Sequence, residues 1–245
     1  MTQLKIANRS DFVNSFLSPI GRLTENAVLK VRDKEFVATS SSSDGTLIVN
    51  CSYKQSNEVT ETIYLNIPDL NRLIKVLGCV STDDVTLVFN NNNIEHKSGS
   101  MGFKYHLLED GIIDPPSIDL NKIKSIEFPF RFSITPNVIN QLVKASTFTT
   151  ETNKIYFYTE NGSIHATLTD KQRHNVDSYS QLVADKHKGG PLDKELALSF
   201  ETMRIISTIR FDDLKVLVNP TLNVFLFQLN CGNANITIIS SGFVG

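Results

Sequence analysis

The sequence repeats one pattern of secondary structure four times, and this repetition constrains the fold more than any other feature. Judged by the period of its apolar residues, each copy reads as a strand, a polar break, a short helix and then hairpin strands. The copies begin at Leu4, Ile63, Phe128 and Leu196. One short helix among several strands in every copy predicts an α+β fold built from four strand-helix-hairpin repeats.

Local signals support the individual elements. The second helix is predicted from four apolar residues that share one face, Leu70, Leu73, Ile74 and Leu77,. Ser10, Thr135 and Ser199 are expected to cap the other helices, because a hydroxyl oxygen can accept from a free backbone amide. Strands are predicted at 27–31, 35–39 and 46–53, and Asn161-Gly162 predicts a tight hairpin turn in the third copy,.

The four copies are expected to pair into two domains. Copies one and two form an N-terminal domain at 1–108, and copies three and four form a C-terminal domain at 126–245. The segment 109–125 is predicted to be a connector, because the adjacent prolines Pro115 and Pro116 cannot continue a strand ladder,. A chain of 245 residues is long enough for two domains,.

Composition excludes several classes of protein. The chain is 40% hydrophobic but has no run of about 18 apolar residues that would span a membrane,. Its N-terminus lacks a secretory pattern, so we expect a cytoplasmic protein. Cys51, Cys79 and Cys231 are therefore expected to be buried, reduced thiols,. A net charge of −2 argues against a protein that simply coats nucleic acid,.

The positions of the charges carry more information than their sum. Seven basic residues are predicted on or at the ends of the helices: Arg9, Arg22, Arg72, Lys75, Lys144, Arg204 and Arg210. The acids there, Asp11, Asp69 and Glu201, all lie in a first turn, where the helix dipole favours them,. Surface helices often carry scattered basic residues. Their repetition on all four helices instead favours a surface that faces the phosphates of duplex DNA.

The same helices lack the features of sequence-specific binding. No aromatic residue is interleaved with the basic positions, so stacking on unpaired bases is not expected. No helix carries several side chains suited to reading base edges. The predicted contact is therefore with the backbone alone, and it should weaken with salt.

No signature of an enzyme, a metal site or a cofactor site is found. The histidines have no metal-ligand spacing, and His96, His106 and His165 are expected to be exposed on strands,. The Gly189-Gly190 segment lacks the Lys-Ser/Thr ending of a phosphate-binding loop and is expected to be a solvated loop,. We expect no catalytic residues, no metal and no cofactor.

The plan of elements resembles a DNA sliding clamp. The segment Pro68–Leu77, followed by Asp83-Asp84 and a strand, looks most like the polymerase processivity factor of T4-type bacteriophages. The resemblance implies a two-domain clamp fold with helices lining the inside of a ring and sheets outside. It also implies a non-enzymatic protein that encircles duplex DNA, tethers the replicative DNA polymerase and is loaded by a clamp loader ATPase. If it is phage-encoded, it would act in the host cell cytoplasm.

Helix dimensions set the size of such a ring. Four helices, each about 10 Å wide, cannot surround a duplex about 20 Å wide, whereas twelve can. A homotrimer is therefore expected. Its subunit interface is assigned to two strands at matching places in the two halves. The interface residues are Met101, Phe103, Tyr105 and Leu107 in the first half and Val176, Tyr179, Gln181 and Val183 in the second.

Apolar residues in two surface segments are candidates for docking a polymerase tail. They are Ile112, Ile113 and Ile118 in the connector and Phe243 and Val244 at the C-terminal end,. The alternative is that these side chains only pin their own segments to the domains.

Two other functions remain compatible with the sequence. One is a monomeric processivity factor of the same fold that grips duplex DNA without encircling it. The other is a structural phage or viral component that does not bind DNA.

Overall fold

The computed structural model describes residues 2–116, 118, 122–123, 125–149, 153–173 and 175–243. The chain forms two compact units. The first comprises Met1–Ser117 together with Asn230–Ile236, and the second comprises Ile118–Leu229 together with Thr237–Gly245. The predicted bounds of the two domains, 1–108 and 126–245, and of the connector, 109–125, remain predictions. No helix among the described residues is long and apolar enough to cross a membrane.

The first unit contains copies one and two. Its elements are β1 (Thr2–Ile6), α1 (Arg9–Asp11), a π-helical segment (Phe12–Leu17), α2 (Ser18–Gly21), β2 (Ala27–Ser41), β3 (Leu47–Ile67), α3 (Leu70–Gly78), β4 (Val85–Asn90), β5 (Asn93–Ser98) and β6 (Met101–His106). Four strands form an antiparallel sheet in the order β1-β4-β5-β6. The other two, β2 and β3, form one long antiparallel hairpin.

The second unit contains copies three and four. Its elements are β7 (Phe130–Ile134), α4 (Pro136–Ala145), β8 (Lys154–Glu160), β9 (Ser163–Leu168), β10 (Tyr179–Ala184), β11 (Leu196–Ser199), α5 (Glu201–Ser207), β12 (Leu214–Asn219), β13 (Val224–Cys231) and β14 (Ala234–Ser241). One sheet has the order β10-β9-β8-β11, and the other runs β14-β13-β12-β7. The segment Asn230–Ile236, which includes the end of β13, the turn after it and the start of β14, belongs to the first unit.

Three predicted strands belong to two long strands. The segments 27–31 and 35–39 are both parts of β2, and 46–53 continues through β3. The pairing register of β2 with β3 shifts on both sides of Asp33, whose φ is +48°. Such a bulge keeps the strand continuous but breaks the alternation of apolar and polar residues, which is why the sequence pattern divides there.

The first helical segment begins differently from its prediction. Asn8 is the cap, and its Oδ1 accepts from the backbone N–H of Asp11 at 2.8 Å, whereas the Ser10 hydroxyl donates to Asp83. The segment then widens into π-helix. Both the backbone N–H and the hydroxyl of Ser18 donate to the carbonyl of Val13, and the next residue, Pro19, has no N–H to continue the α-helical ladder,.

The remaining caps agree only in part with prediction. Phe200 occupies the cap position of α5, one residue after the predicted Ser199, whose Oγ accepts from the N–H of Glu201 at 3.3 Å. Thr135 occupies the cap position of α4, but its side chain makes no capping bond. In α3 the cap is Asp69, whose carboxylate accepts from the N–H of Arg72 at 2.9 Å. The prediction for Thr135 is therefore right in position and wrong in chemistry.

Two predictions of burial are wrong. Cys51 and Cys231 are buried, and burial raises the pKa of the Cys51 thiol, but Cys79 is exposed just after α3. His96 is buried, with Nδ1 2.9 Å from the carbonyl of Thr86. The cause lies in the strand geometry, since His96 shares the inner face of β5 with Ile94 and its ring lies 5.6 Å from that of Phe103,.

Candidate nucleic-acid interface

In the first unit the two helical segments lie side by side and antiparallel. The guanidinium of Arg9, where the first segment begins, donates to the carbonyls of Leu77 and Gly78, where α3 ends. At the other end, a Cβ on Gly21 would lie 3.7 Å from side-chain atoms of Leu70 and Ile74. The outward sides of both segments therefore form one surface.

The outward side of α3 carries two cations, and its inward side carries three leucines. Leu70, Leu73 and Leu77 are buried in the core. Arg72 and Lys75, three positions apart, share the exposed side,. Arg22 is exposed directly after α2.

In the second unit α4 and α5 pack against each other. The exposed side of α4 carries amides and one cation, in the residues Asn137, Asn140, Gln141 and Lys144. Its buried side carries Ile139 and Leu142. Arg210 is exposed shortly after α5.

Five of the seven predicted basic residues are exposed and free of ion pairs, within the part of the chain that the structure describes. They are Arg22, Arg72, Lys75, Lys144 and Arg210. Arg9 is different, because only 19% of its side chain is exposed and it ties two helical segments together. Arg204 pairs with Glu201 at 3.1 Å and lies over the ring of Phe200. We call the five free residues the basic helix faces.

The helix dipole accounts for part of this pattern. Lys75 and Lys144 lie in the last turns of their helices, and Arg22 caps α2, where a cation is favoured in any protein,. Arg72 lies at the opposite end of α3, in the first turn, where the same dipole disfavours a cation,. Its position is therefore not explained by helix stability.

One aromatic residue near these faces was missed in the sequence. Phe148 follows α4, four residues beyond Lys144, and is 59% exposed. Because it lies past the end of the helix, the apolar period of α4 gave no sign of its exposure.

The two predicted interface strands are edge strands. β6 ends the order of one sheet, and β10 ends the order of the other. In β6, Met101 and Phe103 are half-buried, and Leu107 follows the strand. In β10, Tyr179 and Gln181 are half-buried and Val183 is buried, and Val176 precedes the strand.

Tyr105 has a role inside its own subunit. Its side chain is 7% exposed, and its hydroxyl donates to the carbonyl of Asp69 at 2.6 Å, at the start of α3. Burial raises the pKa of this hydroxyl.

The backbone groups on the free edge of β6 follow from its register. Leu107 donates its N–H to Asn92, so Tyr105, paired with Ile94, also bonds within the sheet,. The intervening residues Gly102 and Lys104 then direct their N–H and C=O groups to the open edge.

The candidate docking residues lie in separate units. In the first unit Ile112 is 63% exposed and Ile113 is half-buried. In the second, Ile118 is half-buried, and Phe243 is 39% exposed although its N–H donates to Ala197 at 2.8 Å. The side chain of Asn223 donates to the carbonyl of Phe243. The backbone of Phe243 is therefore held by hydrogen bonds while its side chain stays partly exposed. Val244 lies outside the described residues.

Within the described residues, no group of three or more His, Cys, Asp and Glu side chains could hold a metal ion. The loop that contains Gly189 is also more ordered than predicted. Its Lys188 exchanges two backbone hydrogen bonds with Arg131 of β7.

Comparisons with known proteins bear on the fold. No protein-family model matches the sequence. No curated protein sequence matches it either. Among the solved structures that resemble the chain over nearly its whole length are three that contain PCNA. PCNA of A. fulgidus, bound to the C-terminal region of FEN-1, superposes with a TM-score of 0.78 at 14% identity, covering 100% of this chain and 99% of that one.

The other two are also archaeal. The PCNA2–PCNA3 complex of Sulfolobus tokodaii gives a TM-score of 0.75 at 13% identity, covering 98% of this chain and 99% of its match. PCNA of Thermococcus kodakaraensis gives 0.78 at 13% identity with the same coverage. The predicted sliding-clamp fold is confirmed: from end to end, the chain has the fold of PCNA.

Proposed function

We propose that the protein is a DNA polymerase processivity factor, a ring-shaped clamp that encircles duplex DNA and tethers the replicative polymerase. One observation supports it above the others. The clamp fold here carries exposed cations, without ion pairs to any described residue, on or next to the helices of both units, in a chain whose net charge is −2. A cationic helical surface on an otherwise acidic protein suits a molecule that must stay around DNA without binding it elsewhere.

The proposed contacts are with phosphates. Arg22, Arg72, Lys75, Lys144 and Arg210 would face the duplex, with the amides of α4 between them. Arginine, lysine and amide side chains bond to phosphate oxygens without reading bases. Such contacts form equally well at every step along the duplex, so the ring would slide. Arg9 and Arg204 are assigned to holding the helices in place rather than to DNA.

The proposed ring is a homotrimer in which β6 of one subunit pairs with β10 of the next. Both strands lie at sheet edges, and an unpaired edge is a ready template for another strand,. As in the T4-type phage clamps that the sequence resembles, opening and closing would be the task of a clamp loader ATPase. The polymerase would dock through an apolar tail at Phe243 or Ile112. The protein itself would carry out no chemistry.

Native mass tests the assembly. The subunit is 27.4 kDa, and the proposal predicts a species of three times that mass in sedimentation or native mass spectrometry at micromolar concentration. A monomer that binds duplex DNA would instead support the monomeric processivity factor. A protein of any mass without affinity for duplex DNA would support a structural role and overturn the proposal.

A further inference from the structure

The loop between β10 and β11 is held in one conformation against β7. Lys188 and Arg131 exchange backbone hydrogen bonds of 2.8 and 2.9 Å, so the loop covers the edge of β7 at that point. His187 turns inward and stacks on Phe130 with ring centroids 4.8 Å apart. A Cβ on Gly189 would lie 2.6 Å from the carbonyl oxygen of Pro129, so only glycine allows this close approach,.

This arrangement places two cations directly opposite each other. In a reciprocally bonded antiparallel pair, the two side chains leave the same face, with Cβ atoms about 5 Å apart. Both Lys188 and Arg131 are exposed. The Nε of Arg131 donates to the carbonyl of Phe128 at 3.1 Å, which orients the guanidinium. Like charges at such a pair destabilise the strands that carry them.

Nothing in the described chain neutralises this pair. Neither Lys188 nor Arg131 forms an ion pair with any described residue. A third cation, Lys215, is exposed on the same face opposite Ser133. Asp213 lies beside this face, where its carboxylate accepts from the hydroxyl of Ser133 at 3.3 Å. This face therefore carries a net positive charge, and the repulsion between its cations lowers the stability of the fold.

We propose that Arg131 and Lys188 form a docking site for an acidic peptide segment of a partner protein. A carboxylate can accept from a guanidinium and an ammonium together, and such charge-assisted bonds are stronger than neutral ones. The paired backbone holds the two residues in fixed positions, so only side-chain freedom is lost on binding, which favours affinity,.

The position of the site favours a peptide over DNA. The inward residues of β7, Phe130, Phe132 and Ile134, are buried in the core of the second unit. Ile139 and Leu142 of α4 are also buried within this unit. Arg131 and Lys188 leave β7 on the side turned away from that core, whereas Lys144 lies on the exposed side of α4. DNA bound along the helices would not reach them, so the site is independent of the proposed DNA contact.

Fluorescence anisotropy on the full chain tests the site. The probe is a labelled dodecapeptide of alternating Glu and Gly, and the matched neutral probe replaces Glu with Gln. We expect the acidic peptide alone to bind, and Lys188→Glu to weaken its binding about tenfold or more. Lys97→Glu, which reverses an exposed strand lysine in the first unit, should leave binding unchanged.

A second readout separates loss of the site from loss of folding. Lys188→Glu turns a like-charge pair into an ion pair with Arg131, so its thermal midpoint should equal or exceed that of the parent protein while peptide binding falls. Equal peptide binding by Lys188→Glu and the parent would overturn the proposal, as would no binding by either. Binding of single-stranded oligothymidylate that depends on Lys188, without peptide binding, would make the face a nucleic-acid surface and also overturn it.

Discussion

Replacing Lys104 with proline is expected to convert the assembled protein into monomers. The N–H of Lys104 points to the open edge of β6, so the substitution removes no hydrogen bond within the subunit,. In the assembled ring it would remove one ladder donor per interface, leave its acceptor unpaired and place a proline ring between the strands. Together these losses amount to about 3 kcal/mol per interface, or roughly a hundredfold in the subunit dissociation constant.

Lys104→Ala is the matched control. It removes the ion pair of Lys104 with Glu95 at 3.2 Å but keeps the backbone N–H, so the trimer should persist. Tyr105→Pro is a poor test, because it would break a bond to Ile94 and remove a buried side chain. A proline variant at Lys104 that still sediments as a trimer would show that β6 is not the interface.

Neutralising four of the five residues of the basic helix faces is expected to weaken binding to duplex DNA without affecting the fold. The variant changes Arg72, Lys75, Lys144 and Arg210 together to alanine. These side chains are exposed and free of ion pairs within the described chain, so the thermal midpoint and native mass should stay near those of the parent. Affinity for duplex DNA at physiological salt should fall by about 10³-fold, and its dependence on salt should flatten.

The control removes the same charge from elsewhere. Arg32, Lys54, Lys97 and Lys215 are exposed on strands rather than helices, and their joint change to alanine should leave affinity for duplex DNA nearly unchanged. A similar loss of DNA affinity in both variants would mean that binding depends only on the net charge of the protein. An unaffected helix variant would mean that the helices face something other than DNA.

The elements that sequence predicts well are those whose signals are local. The apolar period of α3 and the Asn161-Gly162 turn, with φ of +52° and +79°, depend on residues within a few positions of one another. The lengths of β2 and β3 were not predictable in this way. Their continuity depends on cross-strand pairing around a bulge at Asp33, which interrupts the pattern in the sequence.

The residues of the candidate site also differ in whether local sequence signals or distant contacts determine their exposure. The exposure of Arg72 and Lys75 follows from helical period alone, once the apolar side of α3 is known. The low exposure of Arg9 results from its hydrogen bonds to the carbonyls of Leu77 and Gly78, about seventy positions away in the sequence. His96 was buried by its neighbours across the sheet. Contacts between distant parts of the chain leave no periodic signal, so these residues needed the structure.

Retention on circular DNA tests the central claim most directly. The protein would be assembled on a nicked circular duplex and passed through a sizing column at about 0.5 M salt, where phosphate contacts alone no longer hold it. A clamp that encircles DNA should elute with the circle and be lost once a restriction enzyme linearises it. Equal retention on circular and linear DNA, or loss from both at this salt, would contradict the account.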